Sequence, residues 1–254
     1  MIDLTGKVVL LTGASSGIGF ETARSLGRSG AHVIAHYSSH RAGAVEATAE
    51  IPEDHKLLLQ ADFTQAESAR SLWNEGLAWR NKIDVVVCNA AVMPQSAIGG
   101  SDQDWNQAWS EALEINVVQP AHLIREAVNF YVENQGGILI AISSWAAQRG
   151  ASNANLMAYS ASKAALAAMV KTVARAHAKD DVLVYLVAPG VVRTEMSMAS
   201  ARNQGGEEAV TATLAMGEWV PPSEIADLVT YLSSGVCRHL TGATLDVNGA
   251  TYVR

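Results

Sequence analysis

Cysteine is scarce in this chain. Its 254 residues include two, Cys88 and Cys237. Two cannot build a disulfide framework, and they form no Cys-x-x-Cys pair of the kind that holds a metal. No Cys/His ligand cluster is visible elsewhere, so no metal site is expected. Positive charge is also in deficit: Lys and Arg number 18 against 25 Asp and Glu, a net charge of −7. Such a chain lacks the broad positive field that nucleic acid or an anionic membrane surface favours. Long hydrophobic runs are missing too. The first apolar run, Val8 to Leu11, is shorter than the roughly 7–15 residues of a secretory core or the about 20 of a membrane span. There is no internal repeat, low-complexity tract or Pro/Gly/Ser-rich linker, and Pro221-Pro222 is the only proline pair. These absences predict one cytoplasmic domain over residues 1–254, with no nucleic-acid and no membrane partner.

Apolar residues make up 49 % of the chain and charged ones 17 %, enough for a large core. Short Val-, Ile- and Leu-rich runs alternate with longer stretches of helical period. Strands are predicted at Val8–Thr12, His32–Ala35, Lys56–Leu59, Ile83–Cys88, Gly137–Ser143, Val182–Ala188 and Ala243–Val247. Helices are predicted at about 17–29, 41–50, 65–80, 103–115, 117–134, 158–179 and 223–234, the last with Ser223 as N-cap. Near-continuous apolar strands suit a sheet covered on both faces. The expectation is an α/β fold, a Rossmann-type doubly wound sheet of about seven parallel strands with helices on both faces. Residues 195–220 have weak periodicity and carry Gly205-Gly206; they read as a mobile cap over a substrate or as an ordinary surface loop.

Thr12-Gly13-Ala14-Ser15-Ser16-Gly17-Ile18-Gly19 follows the first strand and opens the first helix. Glycines there permit a tight turn and a close backbone approach to a pyrophosphate, and free N–H groups at the helix start meet negative charge. The Gly-Lys-Ser/Thr ending of a P-loop is missing. At the end of the second strand, an acidic residue would bind a ribose 2′-hydroxyl. Here the chain reads Ala35-His36-Tyr37-Ser38-Ser39-His40-Arg41, with no acid. Ser38, Ser39 and Arg41 could hold a 2′-phosphate, which favours NADP over NAD. Arg41 also reads as a solvated first-turn residue.

Tyr159 and Lys163 are four residues apart and share a face if helical. An ammonium beside a phenol lowers the phenol's pKa and fits it for acid–base work. Ser144 stands at a strand end, where a hydroxyl can hold a substrate oxygen or cap a turn. Asn116 lies inside an apolar helical stretch, which marks a local irregularity, a functional contact or a helix boundary.

Taken in order, TGASSGIG at 12–19, Asp62, Cys88-Asn89-Ala90-Ala91, Asn116, Ser144, YSASK at 159–163, Pro189-Gly190 with Thr194, and Leu245-Asp246-Val247-Asn248-Gly249 resemble the short-chain dehydrogenase/reductase family, compact branch, over essentially the whole chain. The resemblance implies NAD(P)-dependent hydride transfer between the nicotinamide and a carbonyl or secondary alcohol. It implies Tyr159 as acid/base, Lys163 holding the nicotinamide ribose and lowering the Tyr159 pKa, Ser144 orienting the substrate oxygen, and Asn116 keeping a relay water. It places the cofactor against Gly13, Ser15, Ser16, Gly17, Ile18, Gly19, Tyr37, Ser38, Arg41, Asp62, Phe63, Asn89, Ala90, Ala91, Tyr159, Lys163, Pro189, Gly190, Val192 and Thr194. It also implies a homotetramer or homodimer. Departures are Cys88 and Ala91 in place of Asn and Gly, a slightly long interval from Ser144 to Tyr159, and Ser16 where NADP binders of the family often carry a base.

Pocket candidates are Val92, Met93, Trp145, Gln148, Met157, Val191, Met196 and Met198, none charged, which suits a neutral, moderately hydrophobic substrate. Among family members, 3-oxoacyl-(acyl-carrier-protein) reductases recognise an acidic carrier through basic residues. Here Phe130–Gln135 carries Glu133 and no base, with Arg175 and Lys179 as partial compensation. Enoyl reductases of this kind space Tyr and Lys more widely. The remaining alternative is a catalytically silent nucleotide-sensing regulator on the same fold.

Overall fold

The computed structural model describes residues 2–254. Seven strands form one parallel sheet: β1 (Val8–Leu11), β2 (His32–Tyr37), β3 (Lys56–Gln60), β4 (Val85–Cys88), β5 (Gly137–Ile142), β6 (Val182–Pro189) and β7 (Thr244–Val247). Their spatial order is β3-β2-β1-β4-β5-β6-β7. β1 pairs with β2 on one side and with β4 on the other, Leu10 standing beside both Ile34 and Val86. The order therefore reverses between β1 and β4. In an open parallel sheet the crevice outside the strand C-termini at that point is where ligands bind.

Among the described residues there are ten α-helices: α1 (Gly17–Arg28), α2 (Arg41–Ala47), α3 (Ser68–Arg80), α4 (Asp102–Leu113), α5 (Gln119–Glu133), α6 (Ala146–Arg149), α7 (Met157–His177), α8 (Glu195–Arg202), α9 (Glu207–Thr211) and α10 (Pro222–Ser233). The sheet divides two cores with the period of two that a strand imposes. Val8, Leu10, Leu139 and Ala141 face Leu72, Leu123, Val128, Leu166 and Val170 of α3, α5 and α7. Val9, Leu11, Ile138 and Ile140 face Ala23, Leu26, Ile225 and Val229 of α1 and α10. Burying each such aliphatic side chain contributes roughly 1.5–3 kcal/mol before chain entropy is counted.

The predicted elements are all present, with local differences. α2 stops at Ala47, and the Thr48 hydroxyl beyond it donates to the carbonyls of Ala44 and Val45. α3 starts at Ser68, since Glu67 sits in the left-handed region at φ 64°. The two central helices join through a π-helical turn, Glu114–Val118. Ser223 does not cap α10: Pro221 holds the cap position and Pro222 opens the helix. A proline there has the right φ and gives up only an N–H that the helix could not use. The weakly periodic 195–220 stretch contains α8 and α9, separated by Gly205 and Gly206 at φ 87° and 94°. Among the described residues, no helix is long and apolar enough to cross a membrane.

Tyr131 of α5 is fully buried and its ring lies against Gly137 at the start of β5. A methyl group at 137 would land inside that ring. Gly137→Ala is therefore expected to cost about 1–3 kcal/mol by overpacking. A urea unfolding curve for the variant that overlays the wild type would contradict this packing.

Candidate active site

The glycine-rich turn after β1 is held by hydrogen bonds from the neighbouring strand. The Thr12 hydroxyl donates to the Val87 carbonyl at 3.2 Å and accepts from the backbone N–H groups of Asn89 and Ala90 at 2.9 and 3.0 Å. The Asn89 amide donates to the carbonyls of Thr12 and Gly13 at 2.9 and 3.1 Å. Gly13 and Gly17 adopt φ 69° and 53°, and a Cβ on Gly19 would land on the Gly13 carbonyl. The turn thus requires these glycines. α1 starts at Gly17 with no side-chain cap and no acid in its first turn. Its free N–H groups and positive end face a cleft of about 680 Å³ along the strand C-termini. A dinucleotide's phosphates fit that donor set.

His36, on β2, completes this turn. Its Nδ1 accepts from the Gly13 N–H at 3.0 Å, so the ring proton is on Nε2, which donates to the Ala61 carbonyl at 2.9 Å. The ring stacks on Phe63, centroids 4.6 Å apart and planes 13° from parallel. Burial pulls its pKa from 6.5 down to about 4, against a smaller opposite pull from the Ala61 carbonyl. Neutral imidazole, with one acceptor and one donor, is the form these two backbone groups require. Residue-by-residue reading passed over His36; its one signal was a histidine inside an otherwise apolar strand.

Gly13, Ser15, Ser16, Gly17, Ile18, Gly19, Ser38, Asp62, Phe63, Asn89, Ala90 and Ala91 all line the cleft, as do Pro189, Gly190, Val192 and Thr194. Two expected cofactor residues do not. β2 runs on to Tyr37 and buries its ring, and Arg41 opens α2 on the exposed side. His40, the residue before α2, takes the place at the cleft expected for Arg41. Asp62 accepts from the Thr64 N–H and hydroxyl at 2.9 and 2.8 Å, which holds its carboxyl below the usual range. Thr194 caps α8 by accepting from the Ser197 N–H.

The cleft ends at Ser144, Tyr159 and Lys163. Ser144 follows β5, its Oγ accepting from the Ala146 N–H at 3.1 Å. Tyr159 and Lys163 lie one turn apart on α7. Ser96 steadies the start of that helix, donating to the Asn155 carbonyl and accepting from the Ala158 N–H, both at 3.1 Å. The Lys163 ammonium is buried, with the residue 2 % exposed; it donates to the Ile142 carbonyl at 2.8 Å and lies 5.9 Å from the Tyr159 ring centroid. Desolvation lowers its pKa from 10.5 to about 8. The expected lowering of the Tyr159 pKa by Lys163 is not found. Burial pushes the phenol above its ordinary value, and a hydrogen bond with Ser144 pulls it partly back. The ammonium is turned to Ile142, and loss of water dominates at the phenol. Beneath Lys163, burial pushes the Cys88 thiol up to about 12.

Asn116 is the irregularity in the π-helical turn. Its Oδ1 accepts from the Val92 N–H, and its Nδ2 donates to the Val92 carbonyl and to Ser162 Oγ, each at 2.9 Å. It clamps the loop after β4 to α7 through Ser162, the neighbour of Lys163. The side chain itself does not line the cleft.

A second pocket, of about 390 Å³, meets the cleft at Ser144, Tyr159, Gly190 and Ser197. Met93, Trp145 and Val191 line it as expected. Val92, Met196 and Met198 line the larger cleft instead, and Gln148 and Met157 line neither. The pocket is not charge-free: Arg149 lies in its wall, with Ser152, Asn153, Ser200, Gln204 and Thr213.

Comparison with known proteins agrees with this geometry. The family model adh_short_C2, described as Enoyl-(Acyl carrier protein) reductase, matches residues 13–250. The chain belongs to the short-chain dehydrogenase/reductase family. The 3-oxoacyl-[acyl-carrier-protein] reductase FabG of Rickettsia bellii is 34 % identical over 250 residues, covering 98 % of both chains. The structure of angucycline C-6 ketoreductase LanV with bound NADP superposes with a TM-score of 0.85 at 28 % identity, covering 98 % of this chain and 97 % of that one. An Agrobacterium tumefaciens C58 3-oxoacyl (acyl-carrier-protein) reductase with NADP bound gives 0.86 at 27 %, covering 97 % and 95 %. The protein is an NAD(P)-dependent oxidoreductase of carbonyl and alcohol groups.

His36 carries a pH signature. Folded, it stays neutral down to about pH 4, whereas unfolded it takes up a proton near 6.5. Its contribution to stability is complete above pH 6.5 and lost as pH falls towards 4. At about 1.4 kcal/mol per pH unit the loss is about 3 kcal/mol. Unfolding free energies measured across this window are expected to fall more steeply for the wild type than for His36→Gln. Parallel curves would contradict the neutral strut.

Proposed function

We propose that the protein reduces the carbonyl of a small molecule, with NADPH as the preferred hydride donor. The observation that carries this reading is the junction of the two pockets at Ser144 and Tyr159. A nicotinamide dinucleotide held by the residues along the cleft would supply the hydride. The chain's own residues do the rest. Ser144 Oγ orients the carbonyl oxygen, and the Tyr159 hydroxyl gives it a proton. A phenol is already protonated at neutral pH, the form that reduction needs, and burial pushes Tyr159 further that way. Lys163 supplies positive charge beside that proton transfer and binds the ribose. Asn116 acts through Ser162 and Val92 as a positioning residue and keeps the relay water. The free N–H groups at the start of α1 would hold the phosphates, and Ser38 with His40 would hold the 2′-phosphate.

The domain is residues 1–254, with α8 and α9 as the cap over the substrate at about 195–220. The protein works in the cytoplasm as a homotetramer or homodimer. The small residues Ala164, Ala165 and Ala168 on α7, and the exposed Leu113 and Val118, support that assembly. A monomer mass by light scattering would contradict it.

The 3-oxoacyl-(acyl-carrier-protein) reductase reading is the second, favoured by the Rickettsia relatives. The exposed Glu133, with no base in Phe130–Gln135, weighs against an acidic carrier. Tyr159 and Lys163 one turn apart weigh against enoyl reduction. Tyr159→Phe separates enzyme from regulator: a loss of kcat of about 10²–10⁴-fold with NADPH binding retained is expected. Unchanged turnover would sink the acid role. Carbonyl reduction should also fall as pH rises past about 8, where Lys163 loses its proton. A profile flat to pH 10 would contradict this.

A further inference from the structure

We propose that the pocket beside Ser144 and Tyr159 selects substrates that carry a carboxylate in addition to the reacting carbonyl, with Arg149 and Asn153 as its receptors. The inference rests on the reductase reading and narrows its substrate class. Both residues lie on the segment between Ser144 and Tyr159, which folds as α6 and a short 3₁₀ turn. That segment is the slightly long interval between the two catalytic positions, and it builds one wall of the pocket.

Arg149 is the single charged side chain in the pocket lining. Its guanidinium lies over the Trp145 indole, 4.8 Å from the ring centroid. Among the described residues it enters no ion pair. Arg193, by contrast, is paired with Glu207 of α9. The indole holds the exposed guanidinium by cation–π attraction, and its N–H groups, with no ion-pair partner, can take a planar, two-oxygen group.

Asn153 is the independent second observation. Its Oδ1 accepts from the Asn155 N–H at 3.0 Å, which settles the orientation of the amide. Its Nδ2 is then a donor, buried and without an acceptor in the chain, on a residue that lines the same pocket. Buried donors are nearly always paired, so an orphan in a pocket wall points to an acceptor supplied by the ligand. An unpaired cation and an unpaired amide donor on one wall ask for an anionic oxygen group. A neutral apolar substrate would leave the Asn153 donor unmet, while the exposed Arg149 would keep its water.

The test uses the full chain with NADPH and two matched series: 5-oxohexanoate, 7-oxooctanoate and 9-oxodecanoate, and their methyl esters. For at least one length, kcat/KM for the acid is expected to exceed that for its ester by about tenfold or more, the scale of one charge-assisted hydrogen bond. In Arg149→Gln the acid-to-ester ratio should fall towards one, chiefly through KM, and Arg149→Lys should recover part of it. Asn153→Ala should lower the same ratio. NADPH binding, followed by fluorescence, reports that each variant is folded. Esters reduced as well as or better than acids at every length would overturn the proposal while leaving the reductase reading intact. So would a ratio unmoved in Arg149→Gln. Failure of a NADPH-binding protein to reduce any acid or ester would overturn the reductase reading and this inference together.

Discussion

The nucleotide end of the site hangs on the Thr12 hydroxyl. One O–H group bonds β1 to the Val87 carbonyl of β4 and receives the first two N–H groups of the chain leaving β4. It therefore joins the two strands between which the sheet order reverses, at the level where the crevice opens. Asn89 and His36 extend the same lattice to both sides of Gly13. With the turn's own carbonyls and N–H groups committed to these partners, the free donors at the start of α1 are left pointing into the cleft. The anion site is a consequence of where the other hydrogen bonds go.

The catalytic end obeys a different constraint, the cost of burying charge. Lys163 sits almost wholly out of water with one carbonyl partner, and its pKa falls accordingly. Tyr159 beside it is pushed the other way by the same burial. Both shifts favour neutral forms, which is what low dielectric does to an acid and a base alike. A proton donor that stays protonated at neutral pH suits reduction of a carbonyl.

Strands and helices were legible because a doubly covered parallel sheet writes continuous apolar runs, and its crossovers write helical period. Tyr159, Lys163, Ser144 and Asn116 were legible as residues. Their environment was less so. Spacing placed the ammonium near the phenol but could not show that it turns to Ile142. Tyr37 and Arg41 do not line the cleft, because alternation on β2 and the turn into α2 decide which side chains reach it. His36 and Arg149 were missed for opposite reasons. A histidine in an apolar strand looks like core, and a basic residue in an aperiodic loop looks like surface. Only the hydrogen bonds of one and the pocket around the other distinguish them.

The crevice between β1 and β4 is proposed as a dinucleotide site with Ser38 and His40 placed for a 2′-phosphate. A paired fluorescence titration of the protein with NADPH and with NADH tests it most directly. The account predicts saturable binding of both, with NADPH clearly the tighter. Tighter binding of NADH would contradict the roles given to Ser38 and His40, and binding of neither would contradict the site itself.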